Sequence, residues 1–417
     1  MKIKFFFNKQ PYFVVKTLKK FIKVSERYEE KYYIVGGAIR DAILCKTNYD
    51  IDIVLTQFNP SFIKELEKEL DTCFSFSKKF NTAKAYLKNG ISIDLNVQRK
   101  ETYPFNGSLP IVSFGDEKSD ILRRDFTINS IYIKILNGTV DIFDPVNGIK
   151  DLKNRKICFL KENSFLEDPT RILRGLKFAF RYSFSFEKNT KLALLDALKQ
   201  DCFSTISSER LKKELLLLLK EPTFNIYLNK NKYYKIFEYI FSFFTKENNL
   251  SLNNIKFIFN FLDLNTSLLK KLKIDKYYFF VFFISLSTEE IEKITFHSKN
   301  IINLNKNSEI YFYLNNFSNQ ELLLIMLYSN FKIENTKLLL KNSQFMKKSL
   351  NKIITKFLYL KKITPLLSGN DLLKIGIPQG KEFTNILNFA YTFQLNNKNI
   401  TKKVLIREVK KIYGLSS

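Results

Sequence analysis

Two carboxylates, Asp50 and Asp52, stand two residues apart in the apolar run DIDIVL. In a strand, residues i and i+2 point to the same face, so both converge on one spot. Just upstream, Tyr33–Val35 reads as a strand that runs into Gly36-Gly37 and then into a helix carrying Arg40 and Asp41. A glycine turn lets backbone N–H groups approach phosphate, and the helix N-terminus behind it adds a favourable dipole. Arg40 lies one turn into that helix, within reach of such phosphates. Paired carboxylates beside a phosphate cradle are what metal-dependent phosphoryl or nucleotidyl transfer requires. Each part alone is common, and the combination carries the reading. Asp94, in the strand-like ISIDLNV, either supplies a third carboxylate from a neighbouring strand or faces solvent. Three converging carboxylates repel unless cations bind. Two Mg²⁺ ions would neutralise them, activate an attacking hydroxyl and stabilise a leaving oxygen.

Two further segments carry chemistry. In DILRRDFTINSIYI, Arg123, Arg124 and Asp125 precede an apolar strand-like run. They form a surface ion pair, or they hold a nucleotide's phosphates (the arginines) and its ribose hydroxyl (the acid). In FLEDPTRILRGLKFAFR, Pro169 fits the first turn of a helix with Asp168 just before it. At helical periodicity Ile172, Leu173, Leu176, Ala179 and Phe180 share an apolar face that packs inward. Arg171, Arg174, Lys177 and Arg181 fall on the other side, which by itself is usually a solvated face. The Asp168/Arg171 pair is chemically more specific. A carboxylate accepts hydrogen bonds and a guanidinium donates them. Cytosine and adenine each offer an amino group beside a ring acceptor, whereas uracil and guanine present the reverse order. Such an edge accepts C and A and rejects U and G without a nucleic-acid template.

The chain around these segments has 417 residues, enough for two to four compact units. Lys+Arg 68 against Asp+Glu 41 gives a net charge of +27, which points to a polyanionic partner, nucleic acid first. Part of the excess reflects a composition rich in Lys, Asn, Ile and Phe. Cys45, Cys73, Cys158 and Cys202 lie far apart, with no metal-ligand spacing and no disulfide framework, which fits reduced thiols in a cytosolic protein. The one histidine, His297, sits in a lysine-rich polar stretch and reads as a surface residue, which leaves no His-based triad elsewhere and no His-rich zinc site. The N-terminal apolar run is too short for a signal peptide, and the run Tyr277–Leu286 is about half of a membrane span. A soluble, cytoplasmic protein is expected, with no membrane association; no protein partner is inferred.

The pattern along the chain is α+β. Residues 11–32 read as an amphipathic helix. From Tyr33 to about Arg155, strand-like runs (IDIVL, AYLKNGISIDLNV, SIYIKIL, TVDIFDP) alternate with helices and turns. After Phe165 the pattern is helical almost without break. The expected division is a mixed α/β head with a small sheet over 1–155, a helical neck over 156–225 and a helical body and tail over 226–417.

The elements IVGGAIRD, DID, RKETYP, LRRDFTIN, DIFDPVNGIKDL, FLEDPTRILR and SSERLKKEL occur in an order that resembles the class II tRNA nucleotidyltransferases and bacterial poly(A) polymerases, of the polymerase-beta-type nucleotidyltransferase superfamily. They cover residues 33–220. A looser likeness to the family's tail lies in LLSGNDLLKIGIPQGKEFTNIL. The resemblance implies an enzyme that adds C, A or both to the 3′ end of tRNA from CTP and ATP and releases pyrophosphate. CC-only, A-only and poly(A) addition share the same head, and a tRNA-binding protein with an inactive head is the non-enzyme alternative. The resemblance further implies Mg²⁺ on Asp50 and Asp52, with Asp94 in the catalytic set. Gly36, Gly37, Arg40 and Arg124 would meet the nucleotide's phosphates and Asp125 its ribose. Asp168 and Arg171 would read the base, supported by Arg174 and Lys177. The family usually has arginine where Lys177 stands, and lysine keeps the charge but lacks the planar fork.

Overall fold

The first strand, Tyr32–Val35 (β1), is buried along its whole length because both of its edges and both of its faces are covered. The computed structural model describes residues 10–28, 30–77, 82–136, 139–245, 252–264, 266–271, 274–286, 289, 363–377, 382–397 and 400–412. His297 lies outside them. The chain divides into two units, Met1–Phe243 and Phe244–Ser417. Head and neck share the first.

In the head, helix α1 (Tyr12–Ser25) precedes β1, and α2 (Gly37–Ile43) follows it. Then come β2 (Asp50–Leu55), α3 (Pro60–Leu70), β3 (Ser75–Ser77), β4 (Thr82–Tyr86), β5 (Ser92–Val97), β6 (Arg99–Thr102), β7 (Ile111–Phe114), α4 (Glu117–Leu122), β8 (Tyr132–Leu136), β9 (Thr139–Phe143) and α5 (Gly148–Lys153). Seven strands form one sheet in the order β3-β4-β5-β2-β1-β8-β9. Its only parallel pair is β2 with β5, and that register sets Asp52 opposite Asp94. On the other side β2 runs antiparallel to β1, opposing Asp52 to Val35. The metal-type carboxylates therefore lie on an interior strand, at the end of the sheet where β1 gives way to the glycine turn.

Alternation along β1 divides its load between two layers. Tyr32 stacks on Phe62 of α3 at 4.7 Å between ring centroids and meets Phe21 of α1 edge-on at 5.6 Å. Tyr33 and Val35 point the other way, into a cluster with Val54, Ile121 and Tyr132. Helix α3 starts cleanly: Asn59 Oδ1 accepts from Ser61 N and Phe62 N, and Pro60 fills the first turn, where a missing N–H costs nothing.

The neck runs through β10 (Lys156–Ile157), α6 (Ser164–Glu167), α7 (Thr170–Tyr182), β11 (Ser185–Phe186), α8 (Lys188–Lys199) and α9 (Ser208–Leu219). It is not wholly helical, since β10 and β11 pair in parallel and clip the chain on both sides of α7. Helix α7 buries Ile172, Leu173, Leu176, Ala179 and Phe180, as the periodicity requires. Gly175 is where α7 comes closest to its neighbours. A Cβ there would sit 2.9 Å from both Phe126 Cζ and Phe186 Cε1. Helices α10 (Phe224–Leu228) and α11 (Tyr234–Phe244) extend the neck's aromatic core, with Phe180 stacked on Tyr227 at 4.3 Å.

In the second unit the described elements are all helical, Leu252–Leu264, Thr266–Lys271, Lys276–Ile284, Gly369–Lys374, Glu382–Asn396 and Lys402–Ile412. The tail segment forms a small core of Leu367, Leu372, Ile377, Ile386, Ala390, Leu405 and Val409. Among the described residues no helix is long and apolar enough to cross a membrane. All four cysteines are free.

Phe62 joins α1, α3 and β1 and is fully buried. Phe62→Ala is expected to lower the unfolding free energy by about 3–5 kcal/mol, the usual cost of emptying an aromatic core site. Urea titration followed by far-UV circular dichroism checks this, and a midpoint unchanged from the parent protein would contradict it.

Candidate active site

A cavity of about 610 Å³ opens between head and neck. Every candidate residue named from the sequence lines it except Asp94: Gly36, Gly37, Arg40, Asp50, Asp52, Arg124 and Asp125 from the head, and Asp168, Arg171, Arg174 and Lys177 from the neck. Its wall carries eight basic side chains against six acidic ones. A volume of that size fits a nucleotide-sized ligand, and the balance of charge favours an anionic one.

The turn after β1 brings backbone against a carboxylate. Gly36 has φ +73°, which side-chain-bearing residues rarely adopt, and a Cβ on it would stand 3.0 Å from Asp52 Oδ2. Asp50 is exposed and accepts from Ser92 Oγ of β5. Asp52 is part-buried and, among the described residues, receives no hydrogen bond. Burial pushes its carboxyl up to about 6; the Arg124 charge pulls it down, and the Asp94 and Asp50 charges push it further up. Asp94 is thus close enough to act on Asp52 through its charge, but its own carboxylate pairs with Lys84 Nζ at 3.0 Å, off the cavity wall.

Among the described residues no three acidic, histidine or cysteine groups cluster as a metal cage. The Asp50/Asp52 pair still suits a divalent cation. A part-buried carboxylate with no donor, facing a second one, lacks positive charge on that side. A small hard cation takes one or two carboxylates and completes its shell with water and substrate phosphate.

The arginines are held by buried acids. Asp120 of α4 is fully buried. Its Oδ1 accepts from Arg123 Nε at 2.9 Å, and its Oδ2 from Arg124 Nη2 at 3.3 Å and from Tyr132 Oη at 2.8 Å. Burial raises the Asp120 carboxyl, but the Arg124 and Arg123 charges outweigh it and hold it below the usual carboxylate range. Arg124 also donates from Nε to Tyr132 Oη at 2.7 Å, so its guanidinium is fixed close to the Gly36 turn. Arg40 is buried: Nε and Nη2 donate to Asp41 at 3.0 and 3.2 Å, Nη1 to Asn129 Oδ1, and the group lies over the Phe178 ring. Asp41 is fixed in turn by Asn48 Nδ2 at 2.7 Å and by Tyr182 Oη of α7 at 2.6 Å.

Asp125 joins head to neck. It accepts from Asn129 Nδ2 at 2.8 Å and from Arg174 Nε at 2.9 Å. Burial opposes its charge, yet Arg174 and Asn129 hold its carboxyl down at about 2. Asp168 and Arg171 bracket the start of α7. Arg171 is only 3% exposed, so it is not on a solvated face. It donates to Ser164 Oγ at 2.6 Å, Tyr103 Oη at 3.3 Å and the Arg123 carbonyl at 2.9 Å. Lys177 is directed to Glu214 Oε2 at 4.0 Å, beyond a hydrogen bond, and among the described residues that buried oxygen has no hydrogen-bond partner. Burial pulls the Lys177 amine down from its ordinary value.

Sequence reasoning did not single out Asp120, Asn129, Tyr132 or Tyr182. Asp120 left a signal, an acid three and four residues ahead of Arg123 and Arg124, which is the spacing of helical ion pairs. Tyr182 left none, because its tie to Asp41 spans 141 positions.

An interior carboxylate strand and a glycine turn from the head thus share one cavity with helix α7 of the neck. Residues 32–158 match the poly A polymerase head domain family. The A-adding tRNA nucleotidyltransferase of Geobacter sulfurreducens is 26% identical over 418 residues, 93% of this chain and 46% of that protein. The A-adding tRNA nucleotidyltransferase of Aquifex aeolicus is 36% identical over 210 residues, 50% of this chain and 25% of that one. The CC-adding tRNA nucleotidyltransferase of Deinococcus radiodurans is 33% identical over 190 residues, 45% of this chain and 50% of that one. The chain thus spans about half the length, or less, of these curated relatives. Among solved structures, a CCA-adding enzyme in apo form II aligns with a TM-score of 0.78 at 22% identity over 98% of both chains. The Thermotoga maritima CCA-adding enzyme complexed with tRNA aligns at 0.69, also with 22% identity over 98% of both chains. These likenesses show the fold, an α+β head followed by helical domains, and bear out the relationship that the ordered motifs imply.

A carboxyl raised in the folded state binds its proton more tightly there than in the unfolded chain. The cation-free protein should therefore lose stability as pH rises from the ordinary carboxylate range through about 6. A cation needs the charged form, so affinity for Mn²⁺ should rise over the same window and lose that rise in Asp52→Asn. Calorimetric titration across that window checks this; affinity independent of pH would count against the assignment.

Proposed function

We propose that the chain is a tRNA nucleotidyltransferase that adds C, A or both to the tRNA 3′ end from CTP and ATP, without a template and with release of pyrophosphate. The observation that carries this reading is one cavity lined by the carboxylate pair Asp50/Asp52, by phosphate-directed arginines and by the Asp168/Arg171 edge. Addition of a nucleotide is attack by the terminal ribose hydroxyl on the α-phosphate, in line with the departing pyrophosphate. Asp50 and Asp52 would hold Mg²⁺, which when bound lowers the pKa of that hydroxyl and draws charge from the phosphates. Arg124 and Arg40 keep N–H groups beyond those already bonded to protein, and these would offset charge that builds on the α-phosphate. Asp125 would take the ribose hydroxyl. Asp168 would accept from the amino group of C or A, and Arg171 would donate to the ring acceptor beside it. Lysine-rich helices of the second unit would grip tRNA through its phosphates, so binding would weaken with salt. The work would be cytoplasmic.

The test is incubation with tRNA transcripts ending at the discriminator base, at C or at CC, each with CTP, ATP or both, and product length read on a gel. Extension of all three transcripts marks full CCA synthesis. Extension of only the CC-ended transcript marks A addition, arrest after two additions with both nucleotides present marks CC addition, and a long ladder with ATP marks poly(A) synthesis. No extension of any transcript would overturn the enzyme reading. Asp50→Ala and Asp52→Ala should each abolish incorporation while tRNA binding, read by filter retention, survives; full activity in either would sink the metal role. Arg171→Ala should relax or abolish the preference for CTP and ATP over UTP, and an unchanged preference would reject its base-reading role.

A further inference from the structure

Asp168 is held by one oxygen only. Thr170 N at 3.2 Å, Thr170 Oγ1 at 2.6 Å and Arg210 Nη2 at 3.2 Å all donate to Oδ1. Among the described residues Oδ2 receives nothing, and Asp168 lines the cavity. Two of the three donors sit two residues away at the start of α7. The third comes from α9, 42 positions downstream, and Arg210 itself is not part of the cavity wall.

The same guanidinium has a second engagement. Arg210 Nη1 donates to the Gly107 carbonyl at 2.8 Å. Gly107 N in turn donates to the Leu166 and Glu167 carbonyls at 3.2 and 3.1 Å, on the segment leading into Asp168. Gly107 has φ +75°, and a Cβ there would lie 2.2 Å from Thr205 Oγ1, just ahead of α9. One planar fork thus ties three segments together: the connection between β6 and β7, the turn before α7, and the start of α9. A carboxylate free to spin about its Cβ–Cγ bond presents either oxygen, or a water bound to it. With Oδ1 gripped from two directions, the acceptor offered to the cavity is fixed.

We propose that Arg210 is a positioning residue for base selection: it clamps Asp168 through Oδ1, so that Oδ2 stands ready to accept the exocyclic amino group of C or A. This rests on the base-reading role given to Asp168 above. Lysine is a poor replacement, because its three N–H donors diverge from one nitrogen and do not reproduce the Nη1 and Nη2 donors that reach the Gly107 carbonyl and the carboxylate.

The test is nucleotide selectivity, read as kcat/KM for CTP and ATP relative to UTP on matched tRNA transcripts, in the full chain. Arg210→Lys keeps the charge and should cut that ratio about tenfold or more, the scale of one charge-assisted hydrogen bond, chiefly through a higher KM for CTP and ATP. Thr170→Val removes a donor to the same Oδ1 without touching α9 and should move the ratio the same way. Melting temperatures separate this from loss of fold: an equal loss of kcat for every nucleotide, with selectivity intact, would overturn the proposal. Asp168→Ala distinguishes the two levels. If it abolishes selectivity while Arg210→Lys and Thr170→Val preserve it, the clamp fails and base reading stands; if Asp168→Ala preserves selectivity, base reading itself fails and the clamp with it.

Discussion

A buried carboxylate with two arginines on it is the constraint around which the cavity is built. Asp120 is wholly out of water, which is costly for an acid unless every oxygen is paired. Arg123, Arg124 and the Tyr132 hydroxyl supply that pairing. The requirement runs both ways, since two adjacent guanidinium groups repel each other unless a counter-charge sits between them. Arg124 is thereby held by the Gly36 turn, near Asp52. Arg123 is turned so that its carbonyl accepts from Arg171 of the neck. Removing Asp120 would break the ion pair of Arg124 and leave Arg123 with Glu101 alone, a loss on the order of 3–5 kcal/mol, and would release groups on both sides of the cavity.

The same logic couples head to neck. Asp125 meets Arg174, Asp41 meets Tyr182, and the Arg123 carbonyl meets Arg171, three polar ties to a single helix. Behind them lies the close seam of Gly175 on Phe126 and Phe186. Polar ties choose the register of α7 against the head, and the apolar seam holds the helix close enough for those ties to be short. Arg40 and Arg124 of the head and Asp168 and Arg171 of the neck thus share one frame, although Arg40 and Arg171 are 131 positions apart in sequence.

The sequence made local patterns legible. The i, i+2 carboxylates, the glycine turn, the amphipathic stripe of α7 and the ordered motifs all survive as physical features, and all candidate site residues but Asp94 line one cavity. What it did not make legible are the partners. Asp94 was weighed as a third carboxylate, but Lys84, ten positions earlier on the next strand, pairs with it. Arg171 was placed on a face that is usually solvated, yet three donor contacts draw it inside. Periodicity reports which way a residue points on its own helix; it is silent on whether another element covers that side. The short β10–β11 clip was hidden for a related reason, since two-residue strands carry no alternation to read.

The position of β1 in the interior of the sheet has a consequence for how the molecule comes into being. Its two neighbours are β2, which follows within 20 residues, and β8, which is made about 100 residues later. As the chain leaves the ribosome, Asp50 and Asp52 are therefore synthesised and can pair with β1 long before Arg124 exists, and the arginines of α7 come later still. For that interval Asp50 and Asp52 stand without Arg124, and β1 has one side open. The parallel β2–β5 pairing and the late arrival of β8 both demand long loop closures, which slow folding. A site whose Asp50 and Asp52 precede Arg124 and the arginines of α7 becomes electrically complete only when the neck has been synthesised.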